Sequence, residues 1–309
     1  MPTLGIDLGG TFARAAVVDD HGGILSVAKA ALSDRSPEAV VECIARAAQE
    51  ALQLAGTGVR AIGVGAAAQI PVDSGLVAVA PNLGWRNVPL GAMLGERLGH
   101  PVRLVNDLSA AAWGELHAGA GRGAQDLFVV FVGSGVGSAI IANGQLVRGA
   151  NGVGAELGHV KVVPGGRTCG CGELGCLEAY AGGHNLIRQA QELLAAGSSP
   201  ELARLCGGDP ARLTPLTLEQ AALAGEPGAK EVHERAAQML ALAVANQVTV
   251  LNPARLILGG GVLTHCPALR QQVLDGVQAW SGRTAREGLL VLDAELGDDS
   301  GLIGAALLA

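Results

Sequence analysis

Aromatic residues make up only 2% of this 309-residue chain, and lysine occurs three times, at Lys29, Lys161 and Lys230. No lysine stands in a glycine-rich stretch and the pattern G-x-x-x-x-G-K-[ST] is absent. That excludes a P-loop, so any phosphate must be held another way. No apolar run reaches the roughly 18 residues of a membrane helix, and Asp7 interrupts the first apolar segment. The N-terminus shows no basic stretch leading into an apolar one, so no signal peptide is expected and the expected location is cytoplasmic. Charged residues are 16% and hydrophobic ones 49%. Such a chain is too apolar to be disordered, is able to bury a large core, and has a length that favours two domains. The net charge of -7 and the lack of any Lys/Arg run argue against a nucleic-acid or acidic-membrane partner.

Glycine is abundant instead, at 47 residues, which marks many positions that need a small residue or a positive φ. The segment "TLGIDLGGTFARAAVVDDHGGILS" predicts strand, turn, strand, turn, strand, with Asp-His-Gly-Gly as the second turn. No helix follows the first glycines, which argues against a Rossmann unit. Residues 126–149, "DLFVVFVGSGVGSAIIANGQLVRG", repeat the device about a hundred and twenty residues later. Such a repeat predicts duplicated domains, each offering one glycine-rich hairpin to the space between them. The expected boundary is the polar, glycine-rich stretch 118–125. The first domain is then 1–120, joined by a C-terminal helix at about 299–309, and the second is 121–298. Helices are expected from Ser36 as N-cap with Pro37 in the first turn, from Asn106-Asp107, and over 184–196, 217–224 and 228–251. The fold class is α/β with mixed sheets.

Five groups of residues carry possible chemistry. Bare glycines let backbone N–H groups approach phosphate oxygens, and a nearby carboxylate can hold Mg²⁺. Asp7 with Gly9, Gly10 and Thr11 fits that use, and it also fits an ordinary tight hairpin. Gly133, Ser134, Gly135 and Gly137 form a matching turn, and the two together suit a polyphosphate. Asn106-Asp107 lies at the end of a buried strand, where α/β sheets place ligands. An aspartate there can take a proton from an attacking hydroxyl, and the pair also reads as a simple helix cap. His159 precedes "CGCGELGC", in which Cys169, Cys171 and Cys176 stand as Cys-x-Cys-x4-Cys. Three thiolates and one imidazole suit a tetrahedral, structural Zn²⁺, the alternative being three buried thiols. Glu156 and Glu178 bracket that loop, either as solvated charges or as carboxylates that bind sugar hydroxyls. With one ring nitrogen of His159 on zinc, the other is left to donate. Cys43, Cys206 and Cys266 read as core thiols.

In this order "DLGGT", "ND", "GAELGH" and "CGCGELGCLE" resemble the ROK family of sugar kinases and repressors, and its glucokinase branch in particular, over nearly the whole chain. The resemblance implies an actin/hexokinase-like fold, with two ribonuclease-H-like domains and a cleft between them. It implies ATP along the turns at 9–11 and 133–137 with adenine near Gly259, Gly260 and Gly261, and Asp107 as catalytic base. It places the sugar on Asn106, Glu156, His159 and Glu178, and zinc on His159, Cys169, Cys171 and Cys176. The implied reaction is Mg²⁺- and ATP-dependent phosphorylation of a hexose, glucose first, at its 6-hydroxyl. The implied assembly is a homodimer or homotetramer. Other kinases of the family act on N-acetylmannosamine, N-acetylglucosamine, fructose or allose. Its repressors carry a winged-helix segment before the kinase-like core, for which a first strand beginning near residue 3 leaves no room. The chain departs from the family pattern at Phe12, where lysine is common, and at "AAAQIPVDSG" after Gly65, where a Gly/Pro-rich stretch is usual.

Overall fold

A computed structural model describes residues 1–309. In chain order the elements are Thr3–Leu8 (β1), Phe12–Val18 (β2), Ile24–Ala31 (β3), Pro37–Ala55 (α1), Ile62–Ala66 (β4), Val77–Ala80 (β5), Trp85–Val88 (β6), Leu90–Leu98 (α2), Val102–Asn106 (β7) and Asp107–Ala118 (α3). They continue with Leu127–Val132 (β8), Val136–Ala142 (β9), Gln145–Leu146 (β10), Glu178–Ala181 (α4), Gly183–Ala195 (α5), Pro200–Cys206 (α6), Pro215–Leu223 (α7) and Pro227–Leu251 (α8). The last are Arg255–Gly259 (β11), Gly261–His265 (α9), Pro267–Trp280 (α10), Arg283–Arg286 (α11), Leu290–Asp293 (β12) and Ser300–Leu308 (α12). The strand orders are β3-β2-β1-β4-β7 and β10-β9-β8-β11-β12, so both larger sheets run through three consecutive strands and then two distant ones. This is the repeat that the two glycine turns announce. Helices α2, α6 and α10 go beyond the sequence expectation. Ser36 does precede α1, but its hydroxyl donates to Asp34 Oδ2 at 2.7 Å and caps no amide of the helix. By their contacts the residues form two compact units, one of 1–127, 139–155 and 293–309, the other of 128–138 and 156–292.

In the first unit the period of two along a strand decides what each face meets. Leu4, Ile6 and Leu8 of β1 join Ile62 and Val64 of β4 and Ile44 and Ala47 of α1 in one buried cluster. The opposite face carries Gly5 on β1 and Gly63 on β4. A Cβ built on them would lie 2.0 Å from the Leu302 carbonyl oxygen and 1.8 Å from that of Ala305. Helix α12 therefore rests on the sheet backbone to backbone. It also meets α3 this way, since a Cβ on Gly304 would fall 1.7 Å from the Ala110 oxygen. Asp7 shares the α12 face with Gly5, which explains why a carboxylate interrupts an apolar strand. In the second unit the fully buried side chains include Phe128, Leu177 and Leu186, with Cys206 and Cys266 also inside. Cys43 is buried in the first unit, so all three remaining cysteines are core thiols.

Candidate functional site

The first glycine turn closes by donation from Gly9 N to Phe12 O at 3.1 Å. Neither Gly9 nor Gly10 has a positive φ. A Cβ on either would meet nothing nearer than 3.5 Å, so neither strain nor crowding demands glycine there. Asp7 is registered opposite Arg14 on β2 and Gly65 on β4. Arg14 donates to the Asp298 carbonyl at 2.8 Å and pairs with the Asp299 carboxylate. Burial pushes the Asp7 carboxyl above the ordinary range; Arg14 opposes that and Asp298 adds to it. Asp7 Cγ lies 3.9 Å from the place where a Cβ of Gly301 would stand, beside the first turn of α12. Asp7 would offer a single carboxylate to a divalent cation bound beside this turn.

At the end of β7, Asn106 is the cap of α3. Its Oδ1 accepts from Leu108 N at 3.0 Å and Ser109 N at 3.2 Å, and its Nδ2 donates to Ala68 O at 3.3 Å. The cap reading thus holds for Asn106, whose amide oxygen is occupied. Asp107, the first helical residue, accepts from Leu108 N at 2.9 Å.

The second turn is built into its surroundings. Gly133 N donates to Gly135 O at 3.0 Å, Gly183 N to Gly133 O at 2.9 Å and His184 N to Ser134 O at 2.9 Å. Glu178 Oε2 accepts from Val136 N at 3.0 Å, and a Cβ on Gly135 would stand 2.3 Å from that oxygen. Next to this turn lies a cavity of about 430 Å³ lined by Ser134, His184, Leu216, Gly261, His265 and Cys266 among others. Its walls are largely apolar and it has the size of a nucleotide-binding pocket. Gly261 lines it from the start of α9. Gly260 before it has φ 89°, and its Cβ would sit 2.5 Å from Val132 O, which restricts the position to glycine. Thr214–Leu216 and His184 escape sequence reasoning, since nothing in the spacing links them to the glycine turns.

His159, Cys169, Cys171 and Cys176 do converge, with all four ligand atoms within 4.8 Å of one another. Cys171 Sγ lies 3.8 Å from Cys176 Sγ, and Cys169 Sγ lies 3.9 Å from His159 Nδ1. Tetrahedral zinc with Zn–S bonds of about 2.3 Å separates its ligand sulfurs by about 3.8 Å, so the four residues fit the ion. Gly175 tightens the loop, for a Cβ on it would stand 1.8 Å from Val163 O. Without a metal, burial pushes the Cys169 thiol up to about 12. At Cys171 burial acts the same way, but the Glu173 backbone and the thiols of Cys169 and Cys176 prevail and hold it below the ordinary value. Three thiolates and a neutral imidazole would leave zinc one net negative charge, and Lys161 Nζ donates to Cys176 Sγ at 3.1 Å. His159 Nε2 faces away, 3.9 Å from Glu156 Oε2. Burial raises Glu156, with His159 opposing and Glu178 adding.

A family model described as the ROK family matches residues 3–309. A glucokinase of Streptomyces coelicolor is 37% identical, over 99% of this chain and 97% of that protein. The crystal structure of a ROK family glucokinase from Streptomyces griseus, in complex with glucose and AMPPNP, is 37% identical and superposes with a TM-score of 0.84 over 100% of this chain and 99% of that one. A ROK hexokinase from Thermus thermophilus is 33% identical with a TM-score of 0.86, covering 100% of this chain and 98% of its own. The fold is accordingly α/β of the actin/hexokinase-like class, and the chain belongs to the ROK family.

Proposed function

We propose that this chain is a glucokinase, transferring the γ-phosphoryl group of ATP to the 6-hydroxyl of glucose. The observation that carries the reading is full-length likeness to a glucokinase whose structure holds glucose and AMPPNP. The geometry supports it: an apolar, nucleotide-sized cavity beside Ser134 and Gly261, two glycine turns, and a carboxylate at the end of β7.

Phosphoryl transfer needs positioning and charge stabilisation more than covalent chemistry. In this reading the cavity takes the adenine, and the turns at 9–11 and 133–137 hold the phosphates through backbone amides other than those of Gly9 and Gly133, which close the turns. Asp7 would hold Mg²⁺, which would supply countercharge to the phosphate oxygens. Glu156, Glu178, Asn106 and His159 Nε2 hold sugar hydroxyls. Glu178 does so with Oε1, because Oε2 is on Val136, and Asn106 with Nδ2, because Oδ1 caps α3. Asp107 takes the proton of the attacking hydroxyl. His159, Cys169, Cys171 and Cys176 would hold a structural zinc that stiffens the loop, with the His159 ring already turned so that Nδ1 faces the thiols. No helix is long and apolar enough to cross a membrane. A homodimer or homotetramer without nucleic acid completes the proposal, and light scattering of the purified protein measures its size.

A coupled ADP-release assay over hexoses and N-acetylhexosamines, with and without Mg²⁺, tests the function. Mg²⁺-dependent turnover with the highest kcat/KM for glucose supports it. A higher kcat/KM for N-acetylmannosamine or another hexose refutes the substrate, and an inert protein refutes the reaction.

A further inference from the structure

A second cavity, of about 420 Å³, lies wholly in the first unit and is lined by Arg103, Trp113, Gln145, Leu146, Arg148 and Leu308. None of these residues takes part in the proposed kinase chemistry. Two guanidinium groups, one from β7 and one from the segment after β10, converge on a single carboxylate. Arg103 Nη2 lies 3.6 Å and Arg148 Nη1 3.4 Å from the same oxygen, Asp73 Oδ1. Both distances exceed a normal charge-assisted hydrogen bond. The second nitrogen of Arg103 donates to Leu308 O at 2.8 Å, which fixes that side chain. Asp73 is 68% exposed and adopts φ 52°, a conformation only Gly, Asn and Asp take readily. Two guanidinium groups thus share one carboxylate, and an exposed, loose ion pair of this kind is worth little to stability. The indole Nε1 of Trp113, beside the cavity, is buried with no hydrogen-bond partner.

We infer that this cavity binds a phosphate monoester, with a hexose phosphate as its occupant. The dianionic phosphate has more charge and more acceptor oxygens than the Asp73 carboxylate it displaces, and it matches the planar fork of arginine. The Gln145 amide is suited to hydroxyls, and the Trp113 ring with Leu146 and Leu308 to an apolar sugar face. Occupancy releases Asp73, which lies in the 66–75 segment where the chain departs from the family pattern. The choice of hexose phosphate rests on the sugar-kinase reading; the phosphate site itself does not.

Isothermal titration of the full chain in saturating glucose, with inorganic phosphate and glucose 6-phosphate as separate probes, tests this. Glucose 6-phosphate is expected to bind at least about tenfold more tightly than inorganic phosphate, and Arg148→Ala to weaken it at least about tenfold. Asp73→Asn removes the competing carboxylate and is expected to strengthen binding several-fold. Both variants should keep the glucose Kd and kcat of the parent, so failure of the kinase reading shows separately in the turnover assay. Equal affinity for the two probes overturns the hexose-phosphate occupant. No binding at millimolar concentrations, unchanged binding by Arg148→Ala, or weaker binding by Asp73→Asn overturns the site.

Discussion

The Glu178 carboxylate joins two parts of the second unit to each other: Oε2 accepts from the Val136 amide at 3.0 Å, and Oε1 lies 3.7 Å from Cys169 Sγ. A residue read from the sequence as a sugar ligand is thus also the tie between the second glycine turn and the cysteine loop.

Glu178→Ala breaks that tie and leaves the Val136 N–H without its partner. A hydrogen bond to a charged group contributes about 1.5–3 kcal/mol, so kcat/KM for glucose should fall at least about tenfold, with KM for ATP also raised. Glu178→Gln keeps an acceptor for Val136 and should leave KM for ATP near that of the parent. Steady-state kinetics with each substrate varied in turn checks this split.

Zinc is expected at one ion per chain by elemental analysis. Cys176→Ser, or chelation, removes a ligand whose loop carries Glu178 and lies next to His159. Loss of a structural ion couples to folding and to the residues it orders, so glucose affinity should fall about 10–100-fold. Full affinity in a protein shown to be zinc-free contradicts the role given to the ion.

Helix α12 lies too close to the sheet for a single added methyl. Gly63→Ala should destabilise the protein by about 1–3 kcal/mol and lower Tm by several degrees, read by calorimetry. Gly133→Ala meets open space and should leave Tm unchanged while it obstructs phosphate approach and lowers activity.

Cys266 titrates only in strong base. Burial, with Glu219 adding to it, pushes the thiol from 9.0 up to about 12. Because the folded value is raised, the neutral thiol's contribution is intact below pH 9 and is lost as the pH rises toward 12, where the unfolded chain alone is ionised. Chemical denaturation between pH 8 and 11, on the rising side of the 9.0-to-12 interval, should show this decline, and Cys266→Ala should reduce it. An identical slope in the variant contradicts the assignment.

Both glycine turns, the strand–turn–strand repeat and the clustering of His159 with the three cysteines were legible in the sequence because each is local. Cys-x-Cys-x4-Cys in a glycine-rich loop brings its thiols together whatever the rest of the chain does. The cavity beside Ser134 was not legible, since His184 reaches it from α5, Thr214 from the N-cap of α7 and Cys266 from the C-cap of α9, through tertiary packing alone. The double use of Glu178 was hidden for the same reason, as its partner Val136 is 42 residues away. Asn106 and Asp107 carried a cap and a catalytic reading at once, and the structure gives the cap to Asn106.

The central claim is that Asp107 deprotonates the sugar hydroxyl. The most direct measurement is the turnover number of Asp107→Asn with saturating glucose and MgATP, alongside its glucose affinity and melting temperature. The account predicts a loss of at least about 10²-fold in kcat with affinity and Tm close to the parent; a kcat near that of the parent contradicts it.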